Sequence, residues 1–155
     1  MPEFSRRFLS LLVRAIIALG FLMPNPGCGK PAAIPKLVPV VGNVYLDGKP
    51  LAGGTVSFRP DAAKGNSVKH EPAGEIDDQG NYTLFTAGKE GAPPGWYKVA
   101  VVANEPPDAQ SADPYAPGKS RIPAHYRNIA TSDLIIEVVE KPDANAYDLP
   151  LKSKK

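Results

Sequence analysis

Little in this sequence invites covalent or metal chemistry. Of 155 residues, one is cysteine, one tryptophan and two are histidine. A lone cysteine excludes an internal disulfide framework and a zinc ribbon or zinc finger. No H-x-x-E, H-E-x-x-H, C-x-x-C or G-x-S-x-G pattern occurs, so neither a zinc ligand set nor a nucleophile elbow is offered. Long apolar runs are missing too. The longest apolar stretch, residues 8–23, is broken by Arg14 and falls short of the ~20 residues that span a bilayer. Helix is disfavoured throughout the body, because 18 prolines are scattered along the chain and each costs about 3 kcal/mol inside a helix. Charge of one sign is also scarce. Eighteen Lys+Arg stand against 16 Asp+Glu, a net +2, too small for a nucleic-acid footprint.

What is present begins with a leader. Arg6 and Arg7 precede the apolar stretch, whose unbroken part, residues 15–23, has the length of a signal-peptide core. Pro24 and Pro26 stop any helix, and Gly27, Cys28 and Gly29 follow. A cysteine at this place resembles the lipobox of bacterial lipoproteins. There the chain is cut before the cysteine, whose thiol takes a diacylglycerol. Residues 1–27 then form the signal peptide and Cys28, the candidate lipidation residue, becomes the mature N-terminus. Asn25 and Pro26 stand where the family prefers leucine and a small residue. Two other readings stay open: a general secretory cut nearby, with Cys28 an incidental thiol, and an uncleaved anchor. The pair Arg6-Arg7 fits a twin-arginine export signal poorly.

The leader holds three arginines and one glutamate, so residues 28–155 carry 15 basic and 15 acidic side chains. A neutral body excludes nucleic acid and other polyanions as electrostatic partners.

Residues 28–36 read as a Pro/Ala tether. Beyond it, short alternating apolar runs are separated by turn residues. Val38, Val40, Val44 and Leu46 share one face of the first run, and Asp47-Gly48 ends it in a tight turn. Further strands are expected at 55–59, 74–77, 81–86, 96–103, 134–139 and 145–151. Asp78-Gln79-Gly80 closes a hairpin, with a calcium loop around Asp77 as the rival reading. In the strand at 96–103, Tyr97, Val99 and Val101 face one way and Trp96, Lys98 and Val102 the other. Seven strands with this spacing predict an all-β, seven-stranded antiparallel β-sandwich over residues 37–151, followed by a basic tail at 152–155.

One connection, 104–131, is longer than ordinary loops and carries five prolines. Its first half is expected to move and its second half, through Ile122 and Tyr126, to dock on the body. Trp96, on the wetter face of its strand, together with Tyr115 and Tyr126 could form a platform for carbohydrate or peptide. Packing beneath the loop is the plainer role for Trp96. His70 and His125 lie far apart beside loops, and no catalytic, metal or cofactor site is expected.

Gly42, Val44, Asp47, Gly48, Pro50, Leu51, Gly53 and Val56 follow the order G-x-V-x-x-D-G-x-P-L-x-G-A-x-V, with Gly54 in the alanine position. Asp78 to Leu84 and Gly95-Trp96-Tyr97-Lys98-Val99 add a D-x-x-G-x-[YF]-x-L-like hairpin and a G-x-Y-x-V strand. In this order the motifs resemble carboxypeptidase regulatory-like, transthyretin-like (Ig-like) sandwich domains. With Ile122-Pro123-Ala124-His125-Tyr126, they resemble small planctomycete-type lipoproteins that carry this domain. The resemblance implies a transthyretin-like sandwich and an exported, membrane-anchored place in the cell envelope, periplasmic or surface-facing. Implied partners are the membrane, through lipid on Cys28, and an envelope protein or polysaccharide. It implies no catalysis and no cofactor. The enzymatic branch of these folds, the hydroxyisourate hydrolases, ends in Tyr-Arg-Gly-Ser, which this chain lacks.

Overall fold

The computed structural model describes residues 35–106 and 118–153. Ten strands follow in chain order: β1 (Val41–Leu46), β2 (Lys49–Pro50), β3 (Gly54–Pro60), β4 (Ala73–Ile76) and β5 (Asn81–Thr83). After them come β6 (Phe85–Thr86), β7 (Lys89–Glu90), β8 (Gly95–Val102), β9 (Ile135–Val138) and β10 (Leu149–Leu151). Two short 3-10 turns, Ala62–Lys64 and Ala124–Arg127, are the only helical pieces among the described residues. The body is all-β, as the proline content and alternation predict.

Seven strands form one curled path, β10-β1-β5-β4-β3-β8-β9, a half-barrel; β2, β6 and β7 are short additions to it. Pairing is antiparallel except at one edge, where β10 runs parallel to β1 with Val44 opposite Leu149 and Leu46 opposite Leu151. This corrects the fully antiparallel expectation. The cause is the route of the chain: β9 and β10 end opposite sides of the path, so residues 139–148 must cross over before β10 can join β1.

Local chemistry sets the corners. Asp47 and Gly48 both take positive φ, 50° and 80°, the twist that joins β1 to β2 in a two-residue hairpin. Asp77 organises the next corner. Its carboxylate accepts the Gln79 and Asn81 amides at 2.8 Å each and the Asn81 side-chain amide at 2.9 Å. The hairpin reading of 77–81 therefore holds, and both carboxylate oxygens are committed to the turn. Strand 81–86 splits at Leu84, whose amide turns to Val40. A second positive-φ pair, Ala87 and Gly88, then closes the short β6–β7 hairpin.

The inward face follows the expected alternation. Val38, Val40, Val44, Val56, Phe58, Tyr97, Val99 and Val101 are all buried. Phe58 lies at the centre, its ring centroid 5.7 Å from Tyr97 and 6.3 Å from Tyr82 in tilted pairs. Burying each such side chain contributes roughly 1.5–3 kcal/mol, with about 0.5–1.5 more for a good ring pair. Buried tyrosines also need partners for their hydroxyls, and these have them. Tyr97 donates to the Pro93 carbonyl at 2.7 Å, and Tyr82 to the Tyr147 carbonyl at 2.6 Å. The Tyr147 hydroxyl accepts the Val139 amide and donates to its carbonyl, 3.2 Å each. Tyrosines thus tie the last crossover to both β5 and the end of β9.

Candidate functional site

The sequence-predicted site residues do not converge. Cys28 and Tyr115 lie outside the described residues. Tyr126 presents no ring face to solvent: it is 5% exposed, belongs to the core and accepts the Lys152 amide with its hydroxyl. That corrects its placement in a binding platform, and the reason is hydrophobic. Ile122 and Tyr126 dock the second half of the long connection, as expected, and docking uses up the ring. The first half, from residue 107 to 117, is not among the described residues.

Trp96 is on the face of β8 opposite Tyr97 and is partly buried. Lys64, from the first 3-10 turn, holds its ammonium 3.7 Å from the centre of the Trp96 ring. The main chain of Trp96 anchors the same turn, accepting from the Asp61 amide and the Asn66 side chain at 2.9 Å each. Among the described residues, that turn lies against Trp96. Trp96 and Tyr126 therefore sit on opposite faces of the sheet.

A different site emerges on the outer face of β3–β6. An open trough of about 760 Å³ runs over β4 and is lined by Thr55, Ala73, Gly74, Glu75, Asp77, Asn81, Tyr82, Thr83, Phe85 and Glu90. The strand register builds it. Ser57, Ala73, Phe85 and Glu90 form one transverse row, and Thr55 pairs with Glu75 in another. Alternation turns Ala73 and Glu75 outward while Gly74 and Ile76 face the core. Gly74 permits the close approach of β4 and β5, since a Cβ there would lie 2.2 Å from the Thr83 carbonyl oxygen.

The trough is aromatic at one end and acidic along its length. Phe85 is 47% exposed, unusual for a ring of its size. Glu75 and Glu90 have no ion-pair partner among the described residues, whereas Glu71 pairs with Arg59 at 2.8 Å and Glu140 with Lys36 at 2.6 Å. Asp77 is held in its charged form below the usual carboxylate range, chiefly by the Asn81 side chain and then by the Asn81 amide. Lysine, arginine, histidine, serine and cysteine are all missing from this lining. Such a surface can accept hydrogen bonds, attract cations and offer a flat ring. The signal for it was in the sequence as the outward set of two alternating strands, Ala73/Glu75 and Asn81/Thr83/Phe85. Reading those strands for their core face hid it.

Elsewhere, His125 lies against Tyr126 in a tilted pair with centroids 3.9 Å apart, and its Nε2 is 3.9 Å from an Asp133 carboxylate oxygen. His70 is remote from it in sequence, and no cluster of three or more metal-ligating side chains occurs among the described residues. Nor, among those residues, is any helix long and apolar enough to cross a membrane. No family model, curated protein or solved structure matches the chain.

Proposed function

We propose that this chain is a non-enzymatic, exported protein of the bacterial cell envelope, held to a membrane by lipid on Cys28, with a ligand-binding or structural role. Its body is a transthyretin-like sandwich of the carboxypeptidase regulatory-like kind. The sandwich reading is supported by the way both arms of the curled path feed one core. Val44, Leu149 and Leu151 come from one arm, and Phe58, Val99, Val101 and Val138 from the other. Export and anchoring rest on the leader pattern and on Cys28 directly after it. Two acyl chains on one cysteine suffice for stable attachment, where a single chain is marginal.

Ligand binding is the function best supported, and one observation carries it: the trough over β4, with an exposed Phe85 and, in Glu75 and Glu90, carboxylates without an ion pair among the described residues. A recognition site built on Trp96 and the 104–131 connection has weaker support, because Lys64 covers a face of the Trp96 ring and Tyr126 is in the core.

Anchoring is tested by replacing Cys28 with serine (Cys28→Ser), fractionating cells and measuring the mass of the mature N-terminus. Wild-type chain should begin at Cys28, carry a diacylglycerol mass and sediment with membranes, while the variant is released. A variant that stays in the membrane fraction like wild type removes the lipid anchor from the reading.

A further inference from the structure

The trough also constrains what it can bind. We infer that it receives an extended, lysine- or arginine-bearing peptide segment of another envelope protein, an assignment that rests on the ligand-binding reading above.

Charge is the first ground. Glu75, Asp77 and Glu90 face the trough, and no cationic side chain lines it. This is not the by-product of an acidic protein, since residues 28–155 have equal numbers of acids and bases. Two other surface acids, Glu71 and Glu140, do have cations, Arg59 and Lys36. A local excess of one sign over a neutral background steers and orients an oppositely charged partner. A neutral polysaccharide can donate hydroxyls to those carboxylates but leaves their charge unneutralised.

Shape is the second ground. The floor is the outward side of β4 and its continuation to Asp77, about five residues at roughly 3.3 Å each. That length matches an extended stretch of four or five residues, whose side chains alternate toward and away from the floor. Phe85, at the Ala73 end, offers a ring face to an ammonium or guanidinium. The protein already uses this contact internally, with Lys64 over Trp96 at 3.7 Å.

The test is a titration of the purified full chain with fluorescein-labelled hexalysine, followed by anisotropy and by amide shifts of β4 and β5. Hexaglutamate and a neutral β-linked hexasaccharide are run beside it. Hexalysine should bind, weaken with added salt, and shift the amides of residues 73–77 and 81–85 while leaving Trp96 fluorescence unchanged. The double variant Glu75→Gln/Glu90→Gln should bind about tenfold or more weakly and keep the wild-type melting temperature. Glu71→Gln, outside the trough, should bind as wild type does. Equal loss in Glu71→Gln, or no loss in the double variant, overturns the assignment as diffuse charge attraction. Binding of the hexasaccharide in the trough without hexalysine overturns the peptide but leaves the ligand-binding reading standing. No shift in the trough with any of the three probes removes both.

Discussion

The two faces of the curled sheet are built from the same strands and treat polar groups in opposite ways. On the inner face every large polar side chain is tied to main chain: Tyr82 to Tyr147, Tyr97 to Pro93, Tyr147 to Val139. On the outer face Glu75 and Glu90 are tied to nothing among the described residues, and Phe85 stands exposed beside them. A buried group without a partner is destabilising by about 1–3 kcal/mol, whereas an exposed carboxylate is satisfied by water. The inner face is thus forced to completion by folding, and the outer face is free to be shaped by something else. Substitutions on the two faces should therefore divide into those that unfold the protein and those that change what it binds.

The largest effect belongs at the centre of the inner face. Phe58→Ala removes the ring that meets both Tyr82 and Tyr97, and should lower stability by roughly 3–5 kcal/mol in urea unfolding. A loss under about 1 kcal/mol would mean that the core is not organised around this residue.

Next comes the tyrosine tie. Tyr82→Phe leaves the Tyr147 carbonyl without its buried donor and should cost about 1–3 kcal/mol, loosening the crossover into β10 first. It also carries a pH signature. Burial pushes the Tyr82 and Tyr97 hydroxyls above their ordinary value of 10.0, because it penalises the phenolate. A folded pKa above the unfolded one means that stability is intact below pH 10 and is lost as pH rises beyond it. Alkaline unfolding should therefore coincide with a cooperative rise in tyrosinate absorbance, with a smaller amplitude in Tyr82→Phe. Gradual ionisation at ordinary values in a still-folded chain would contradict the buried placement.

Alternation is legible in a sequence because burial selects it, and so the inner face could be read ahead of the structure. Val44, Tyr97 and Val99 lie on the faces that alternation predicts together, and those faces are buried. The Asp47-Gly48 and Asp78-Gln79-Gly80 corners were equally legible, since each depends on backbone chemistry within a few residues. Long-range pairing was not. The parallel docking of β10 on β1 follows from which edge a crossing chain reaches, and nothing within residues 145–151 encodes direction. Tyr126 admits both a docked and a platform role for a related reason: an aromatic residue in a proline-rich loop reads the same whether it docks or projects, and it docks. The trough depended on register as well. Only the pairing of Ala73 with Phe85 and of Phe85 with Glu90 brings its aromatic end and its acids together.

Asp77 provides the finest test of the division, because it lines the outer trough yet behaves like an inner-face group. Both of its oxygens are bonded within the 77–81 turn, and those bonds hold its pKa below the ordinary 3.8, with the Asn81 side chain the main cause. The sign follows from linkage. A depressed folded pKa contributes stability above pH 3.8 that is lost as pH falls through the lower folded value. Asp77→Asn should remove that dependence and loosen the turn locally, a smaller change than either substitution above, since the group is exposed and solvent screens it. The measurement is an acid titration followed at the Gln79 and Asn81 amides. In wild type the two should move together with a common midpoint below 3.8, and in Asp77→Asn they should stay flat. A shared midpoint at or above 3.8 would make Asp77 an ordinary solvated carboxylate, available to a ligand rather than committed to the fold.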